Sequence, residues 1–236
     1  MIEERRDGLL VWVSFDRPER LNAFTGRDYR DLTNTLHRCQ ADSTIRAVIL
    51  TGRGRAFSVG ADRSLLDPNS SEEDRRSAGD EFARLMDVLA TFDKPLFAAV
   101  NGFAVGFGAT LLLYCDVVLF AQSARMRLPF TELGIVPEAG SSALLTGRVR
   151  WADAMWTVLS SEWCDADAAL SMGLALRVIP DDDLLDETAT AAAAIARLDP
   201  RAVAATKRLM TAGRADVARQ AISRELAEMR LLAGGG

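Results

Sequence analysis

Residues 96–121 read LFAAVNGFAVGFGATLLLYCDVVLFA. The first and last five residues of this stretch are short apolar runs of the kind that form buried strands. Between them Gly102, Gly106 and Gly108 punctuate a turn that leads into an apolar helical segment at 109–114. Strand, glycine turn, helix and strand in direct succession is the building unit of an α/β fold.

The same alternation continues on both sides. Residues 46–51, RAVILT, read as a buried strand ended by Gly52, and residues 8–15, GLLVWVSF, as a strand ended before Pro18. Residues 25–39 carry Tyr29, Leu32 and Leu36 at helical spacing, with Thr25 as the N-cap. Residues 71–91 place Phe82, Leu85, Met86 and Leu89 on one helical face, and Asp93-Lys94-Pro95 breaks that helix. Beyond Gly140 the pattern is helical near 151–160, 165–171, 181–198, 200–212 and 214–231, with one strand-like run at 174–179. The expected organisation is an α/β core over residues 1–180 and a helical region over 181–236, with 233–236 as a frayed end.

Composition narrows the chemistry. The 236 residues hold 49% hydrophobic and 26% charged side chains, enough for a sizeable core, and the net charge of −5 gives no nucleic-acid footprint. The opening MIEERRDG is charged and no apolar signal core follows, and the run 111–120 is too short to span a bilayer and is interrupted by Asp116. A soluble, cytoplasmic protein is expected, with no membrane partner. Cys39, Cys115 and Cys164 are scattered without CxxC spacing and read as reduced, buried thiols. His37 is the only histidine, which argues against a Ser-His-Asp machine or a His-based zinc site and leaves it a structural role. No metal site is expected.

Three segments offer chemistry. Residues 53–62, RGRAFSVGAD, follow a strand and form a turn able to present backbone N–H groups; Ser58 is not in a G-x-S-x-G elbow. Residues 101–116, NGFAVGFGATLLLYCD, run from a strand into a helix N-terminus that favours negative charge, without the G-x-G-x-x-G spacing of a dinucleotide site. Residues 128–142, LPFTELGIVPEAGSS, carry Glu132 and, in a Pro-Glu-Ala-Gly turn, Glu138. Taken singly, each segment also reads as an ordinary loop or helix entry.

Together, and in this order after an early RPERLNA at 17–23, the segments resemble the crotonase (enoyl-CoA hydratase/isomerase) family over roughly residues 5–212. The resemblance implies a crotonase-like β-β-α superhelix with a C-terminal helical trimerisation region, and hence a homotrimer or dimer of trimers. It implies an acyl-CoA substrate, with no metal or redox cofactor. The thioester oxygen would be held by the backbone N–H groups of Ala61 and Phe107, with the Phe107 ring turned toward the acyl pocket. Substrate contacts would come from Ala23, Val59, Gly60, Ala61, Asp62 and Phe130, and CoA phosphates would meet some of Arg53, Arg55 and Arg63. The family's usual basic C-terminal helix is not recognisable after Gly213.

The two hydratase acids are missing, since Thr110 and Phe130 stand at their positions. Glu138 instead matches the single catalytic carboxylate of the Δ3-Δ2-enoyl-CoA isomerases, the peroxisomal type above all. Dienoyl-CoA isomerases add a partner acid at the position of Phe130. The resemblance therefore implies an isomerase in which Glu138, with its pKa raised by apolar neighbours, moves a proton alone. Two alternatives stay open: a family member with weak hydration or another thioester-enolate reaction, and a non-catalytic acyl-CoA-binding trimer. Glu132 is the rival acid and has no role in the resemblance.

Overall fold

The computed structural model describes residues 1–65 and 71–234. Its strands are β1 (Ile2–Asp7), β2 (Leu10–Phe15), β3 (Ala47–Gly52), β4 (Ala56–Ser58), β5 (Leu96–Val100), β6 (Phe103–Val105), β7 (Val117–Ala121), β8 (Arg125–Arg127), β9 (Cys164–Asp165) and β10 (Arg177–Ile179). One sheet has the order β1-β2-β3-β5-β7-β10, parallel except for the antiparallel β1–β2 pair. A second has the order β4-β6-β8-β9, with only β9 antiparallel.

The chain winds between the sheets. β3 enters the large sheet and β4 the small one, and α2 (Glu72–Thr91) follows. β5 and β6 repeat the move and lead into α3 (Phe107–Thr110); β7 and β8 repeat it again. This is the expected β-β-α superhelix. Every side chain of β5 and all but the last of β3 are buried, which is why both read as continuous apolar runs rather than alternating ones.

Three local expectations are corrected. Residues 2–7, read only as a charged opening, form β1; its side chains are largely exposed at the sheet edge, and charge there discourages edge-to-edge association. The segments 56–58 and 103–105, read as parts of turns, and 125–127, given no element, are strands of the second sheet. The helix placed at 109–114 begins at Phe107 and tightens into a 3₁₀ turn over Leu111–Tyr114.

Helix α1 (Gly26–Ala41) opens with a capping box: the Asp28 N–H donates to the Thr25 side chain and the Thr25 N–H donates to the Asp28 carboxylate. Further on lie α4 (Ser141–Leu144), α5 (Trp151–Ser160), α6 (Ala166–Ser171), α7 (Leu184–Ala196), α8 (Pro200–Met210) and α9 (Arg214–Gly234). Residues 233–234, expected to fray, belong to α9, and 235–236 lie outside the described residues. The boundary expected at residue 180 falls just before α7, which packs on β3 and β5 of the large sheet and buries Leu184, Thr188, Ala192 and Ala196. Helix α9 lies against α2 and α4.

Candidate active site

The site begins with Asn22, fully buried with a left-handed backbone (φ 58°). Its Nδ2 donates to the carbonyls of Ala56 (2.7 Å) and Arg53 (3.0 Å), and its Oδ1 accepts from the Arg17 N–H (2.9 Å). Ser58 Oγ donates to the Asn22 carbonyl (2.8 Å) and accepts from the Gly60 N–H. Val59 N–H donates to the Leu21 carbonyl, Phe24 N–H to the Gly60 carbonyl, and Asp62 N–H to the Phe24 carbonyl. The 21–24 segment is thereby laid alongside 58–62.

This ladder uses the amides on either side of Ala61 and skips its own. Among the described residues the Ala61 N–H has no acceptor, and neither does the Phe107 N–H at the start of α3. The two sit close, because a Cβ on Gly60 (φ 84°) would fall 2.9 Å from Phe107 N and 2.8 Å from the Val105 carbonyl. On the other side, a Cβ on Gly108 would lie 2.1 Å from the Ser58 carbonyl, so only glycine lets β4 and α3 approach. Two free N–H donors held this way are able to receive developing negative charge on an oxygen placed between them.

Glu138 is the carboxylate that the sequence offers for the site. It is half-buried, and among the described residues no group donates a hydrogen bond to its side chain. Burial, and then the nearby carboxylate of Glu225, raise its pKa to about 7. Tyr29 of α1 is within electrostatic reach: burial, followed by Glu138, Asp28 and Asp62, drives its phenol far above the ordinary value, so it stays neutral.

The remaining expected residues fall as follows. Ala23 is buried, and its carbonyl accepts from Arg17 Nη2 (2.5 Å); Val59 and Ala61 are half-buried. Asp62 accepts from Arg17 Nη2 (2.5 Å) and from the Ser64 N–H. Burial opposes its ionisation, but the Ser64 hydrogen bonds and the charges of Arg17 and Arg20 outweigh it and hold the carboxyl below its ordinary pKa. Arg53 pairs with Glu3 and Asp16, while Arg55 and Arg63 are exposed. Glu132 is exposed and engaged by Arg127, so the rival acid is an ion-paired surface group. His37 is exposed on α1, and all three cysteines are free and buried.

The Phe107 side chain departs from expectation. Its ring is fully buried and makes edge contacts with Phe24 (5.2 Å), Tyr29 (5.4 Å) and Phe82 (5.3 Å), instead of facing an open acyl pocket. Aromatic edges attract rings across a well-packed core, and the 21–24 segment, α1 and α2 supply them here.

Residues 5–232 match the family described as enoyl-CoA hydratase/isomerase. The chain belongs to that family. A "Probable enoyl-CoA hydratase" of Rhodobacter capsulatus is 38% identical over 89% of this chain and 80% of its own length. The 1,2-epoxyphenylacetyl-CoA isomerase of Escherichia coli is 36% identical over 75% of this chain and 69% of its own. The crystal structure of an enoyl-CoA hydratase/isomerase from Pseudoalteromonas atlantica superposes with a TM-score of 0.90 at 33% identity, covering 99% of this chain and 91% of that one. The fold is thus the crotonase fold, and the protein is an acyl-CoA enzyme of the hydratase/isomerase family.

Within that family frame, the positions expected to bear hydratase acids hold no carboxylate. Thr110 is fully buried and donates to the Phe107 carbonyl (3.3 Å), and Phe130 is buried. Among the described residues no group of three His, Cys, Asp or Glu side chains could hold a metal, and no helix is long and apolar enough to cross a membrane.

Reading the sequence alone missed two groups, Tyr114 and Glu225. Tyr114 Oη donates to the Ala139 carbonyl (2.7 Å), while Glu225 accepts from the N–H groups of Gly140 (2.8 Å) and Ser142 (2.9 Å). One signal for Glu225 was present: it continues the i, i+3, i+4, i+7 stripe Ala218, Ala221, Ile222, placing a charge on the buried face of a helix.

Proposed function

We propose that this enzyme isomerises 3-enoyl-CoA to 2-enoyl-CoA in fatty-acid metabolism, with Glu138 as the sole proton shuttle. The Glu138 carboxylate takes a proton from C2 of the bound thioester. The C2–H electron pair moves into the C1–C2 bond and charge develops on the thioester oxygen, where the Ala61 and Phe107 N–H groups donate. The dienolate then collapses: C4 takes the proton back from Glu138 and the double bond passes from C3–C4 to C2–C3. C2 and C4 lie on one face of a short allylic unit, so one carboxyl serves both transfers.

The observation that carries this reading is Glu138 itself, which among the described residues accepts no side-chain hydrogen bond and has its pKa raised to about 7, in a chain that leaves the Ala61 and Phe107 N–H groups free and has no second acid at Thr110 or Phe130. A shuttle works best when its pKa lies near the operating pH. The reaction is redox-neutral proton transfer and calls for no metal or redox cofactor. Ala23, Val59, Gly60, Asp62 and Phe130 are assigned to the substrate's surroundings. We place the enzyme in the cytoplasm as a homotrimer or dimer of trimers.

The name of the Rhodobacter capsulatus relative favours a second reading, hydration of 2-enoyl-CoA. Hydration needs a water to be held and activated, and a missing general acid or base typically lowers a rate by ~10²–10⁴. The two readings part in one experiment: rates of 3-enoyl-CoA isomerisation and of 2-enoyl-CoA hydration at a single chain length. Isomerisation is expected to be faster by orders of magnitude. A hydration kcat/KM equal to or above the isomerisation value refutes the assignment, and the absence of both reactions favours an acyl-CoA-binding role.

A further inference from the structure

The turn that carries Glu138 is held in an unfavourable shape. Ala139 and Gly140 are both left-handed (φ 59° and 72°), and left-handed backbone is disfavoured for alanine. Such a turn persists where its surroundings hold it. Tyr114 Oη grips the Ala139 carbonyl from one side. From the other, and from more than eighty residues later in the chain, the buried Glu225 of α9 spans the Gly140 and Ser142 N–H groups with its two carboxylate oxygens.

We propose that Glu225 is the positioning residue for Glu138, holding from α9 the strained turn on which the shuttle stands. This rests on the assignment of Glu138 as the acid/base.

Glu225 does more than cap α4. Its carboxylate is buried, and among the described residues no Lys or Arg pairs with it, so its charge is balanced only by the backbone N–H groups it accepts from. A fixed negative charge beside Glu138 favours the protonated form of Glu138, adding to the effect of burial. The other groups around the two carboxyls do not compete. Tyr29 of α1 lies within electrostatic reach of Glu138 and stays neutral. Tyr114 stays neutral too, its phenol raised by burial and then by Glu225, with Arg214 pulling the other way and distant Asp87 adding a little. Asp87 itself is engaged by Arg219 on the outer face of α9. The C-terminal helix thus both aims Glu138 and keeps it a stronger base than an ordinary glutamate.

The test uses the full chain with Glu225→Gln and Glu225→Asp. The titration midpoint of Glu138 is read by NMR of carboxyl-labelled glutamate, with Glu138→Gln to assign the signal, and isomerase kinetics are read across pH. In Glu225→Gln the Glu138 midpoint is expected to fall by at least about half a pH unit, because one of its two causes is gone. The acidic limb of kcat/KM moves with it, and kcat falls about tenfold with KM nearly unchanged, since the turn has lost half its clamp. Glu225→Asp keeps the charge but loses the reach, so its midpoint stays near the parent value while kcat falls. A Glu225→Gln protein that loses thermal stability yet keeps the parent midpoint and kcat makes Glu225 a structural cap and overturns the proposal. If Glu225→Gln does not fold, Glu225→Asp decides: parent kcat in that variant overturns it. A parent enzyme without isomerase activity refutes the proposed reaction, and the NMR midpoint then still tests the link between the two carboxyls.

Discussion

Replacing Glu138 by Gln separates its chemical role from its structural one. The substitution keeps size and removes proton transfer, so isomerase kcat is expected to fall by at least ~10²-fold while CoA binding persists, the size typical of a lost acid/base. Calorimetric binding of a CoA thioester together with turnover checks this; near-parental turnover means another group is the base. Stability should move the opposite way. The folded pKa of Glu138 is raised to about 7, so its contribution is fully present below the unfolded carboxyl pKa and is lost as pH rises through about 7. Thermal stability should therefore decline between about pH 5 and pH 8, and Glu138→Gln should flatten that decline, gaining about 1–3 kcal/mol at the upper end. A variant that follows the parent curve across the range contradicts the raised pKa. Phe107 shows why some residue-scale detail was not legible. Its N–H was placed from the motif, but the direction of its ring depends on Phe24, Tyr29 and Phe82, which come from other parts of the chain.

At the scale of elements, the site depends on a latch between the 17–24 turn and the β3–β4 loop. Asn22 is that latch: its Nδ2 donates to the carbonyls of Arg53, Ala56 and Phe57, and its Oδ1 accepts from one amide. Asn22→Ala strands those buried groups and is expected to lower stability by about 2–3 kcal/mol. Asn22→Asp should be worse, because it sets a carboxylate against the carbonyls of Arg53 and Ala56. Both should reduce kcat, since the ladder that leaves the Ala61 N–H free would loosen. Urea unfolding with parallel kinetics measures this, and an Asp variant as stable as the parent refutes the latch. The motif RPERLNA pointed to this region, yet the bonding of Asn22 Nδ2 was hidden in the sequence because the carbonyls it meets, Arg53 and Ala56, lie more than thirty residues away.

The whole molecule leaves a broad apolar face open. Trp151, Trp156 and Leu159 of α5 are 67%, 63% and 60% exposed, and Met155 and Trp163 extend the patch. Patches of this kind mark protein interfaces, and a closed symmetric assembly would cover them. Light scattering at micromolar concentration is expected to give a trimer or hexamer, and Trp156→Glu combined with Leu159→Glu should shift it to monomer. A parent protein that stays monomeric rules the assembly out.

The sequence by itself determined the alternation of β3, β5 and β7 with helices and the late helical region, and its motifs pointed to Ala61, Phe107 and Glu138 as the residues to examine, with Glu132 as a rival acid. These are written in local patterns: apolar runs, glycines that a close approach requires, and motifs of fixed spacing. Tertiary structure alone decided the second sheet, because β4, β6 and β8 have three residues each and too little periodicity to read. It alone disposed of Glu132, by pairing it with Arg127, and it alone brought Glu225 from α9 onto the turn of Glu138. Charge pairing and long-range hydrogen bonds depend on which segments meet in space, and a single chain read residue by residue does not state that.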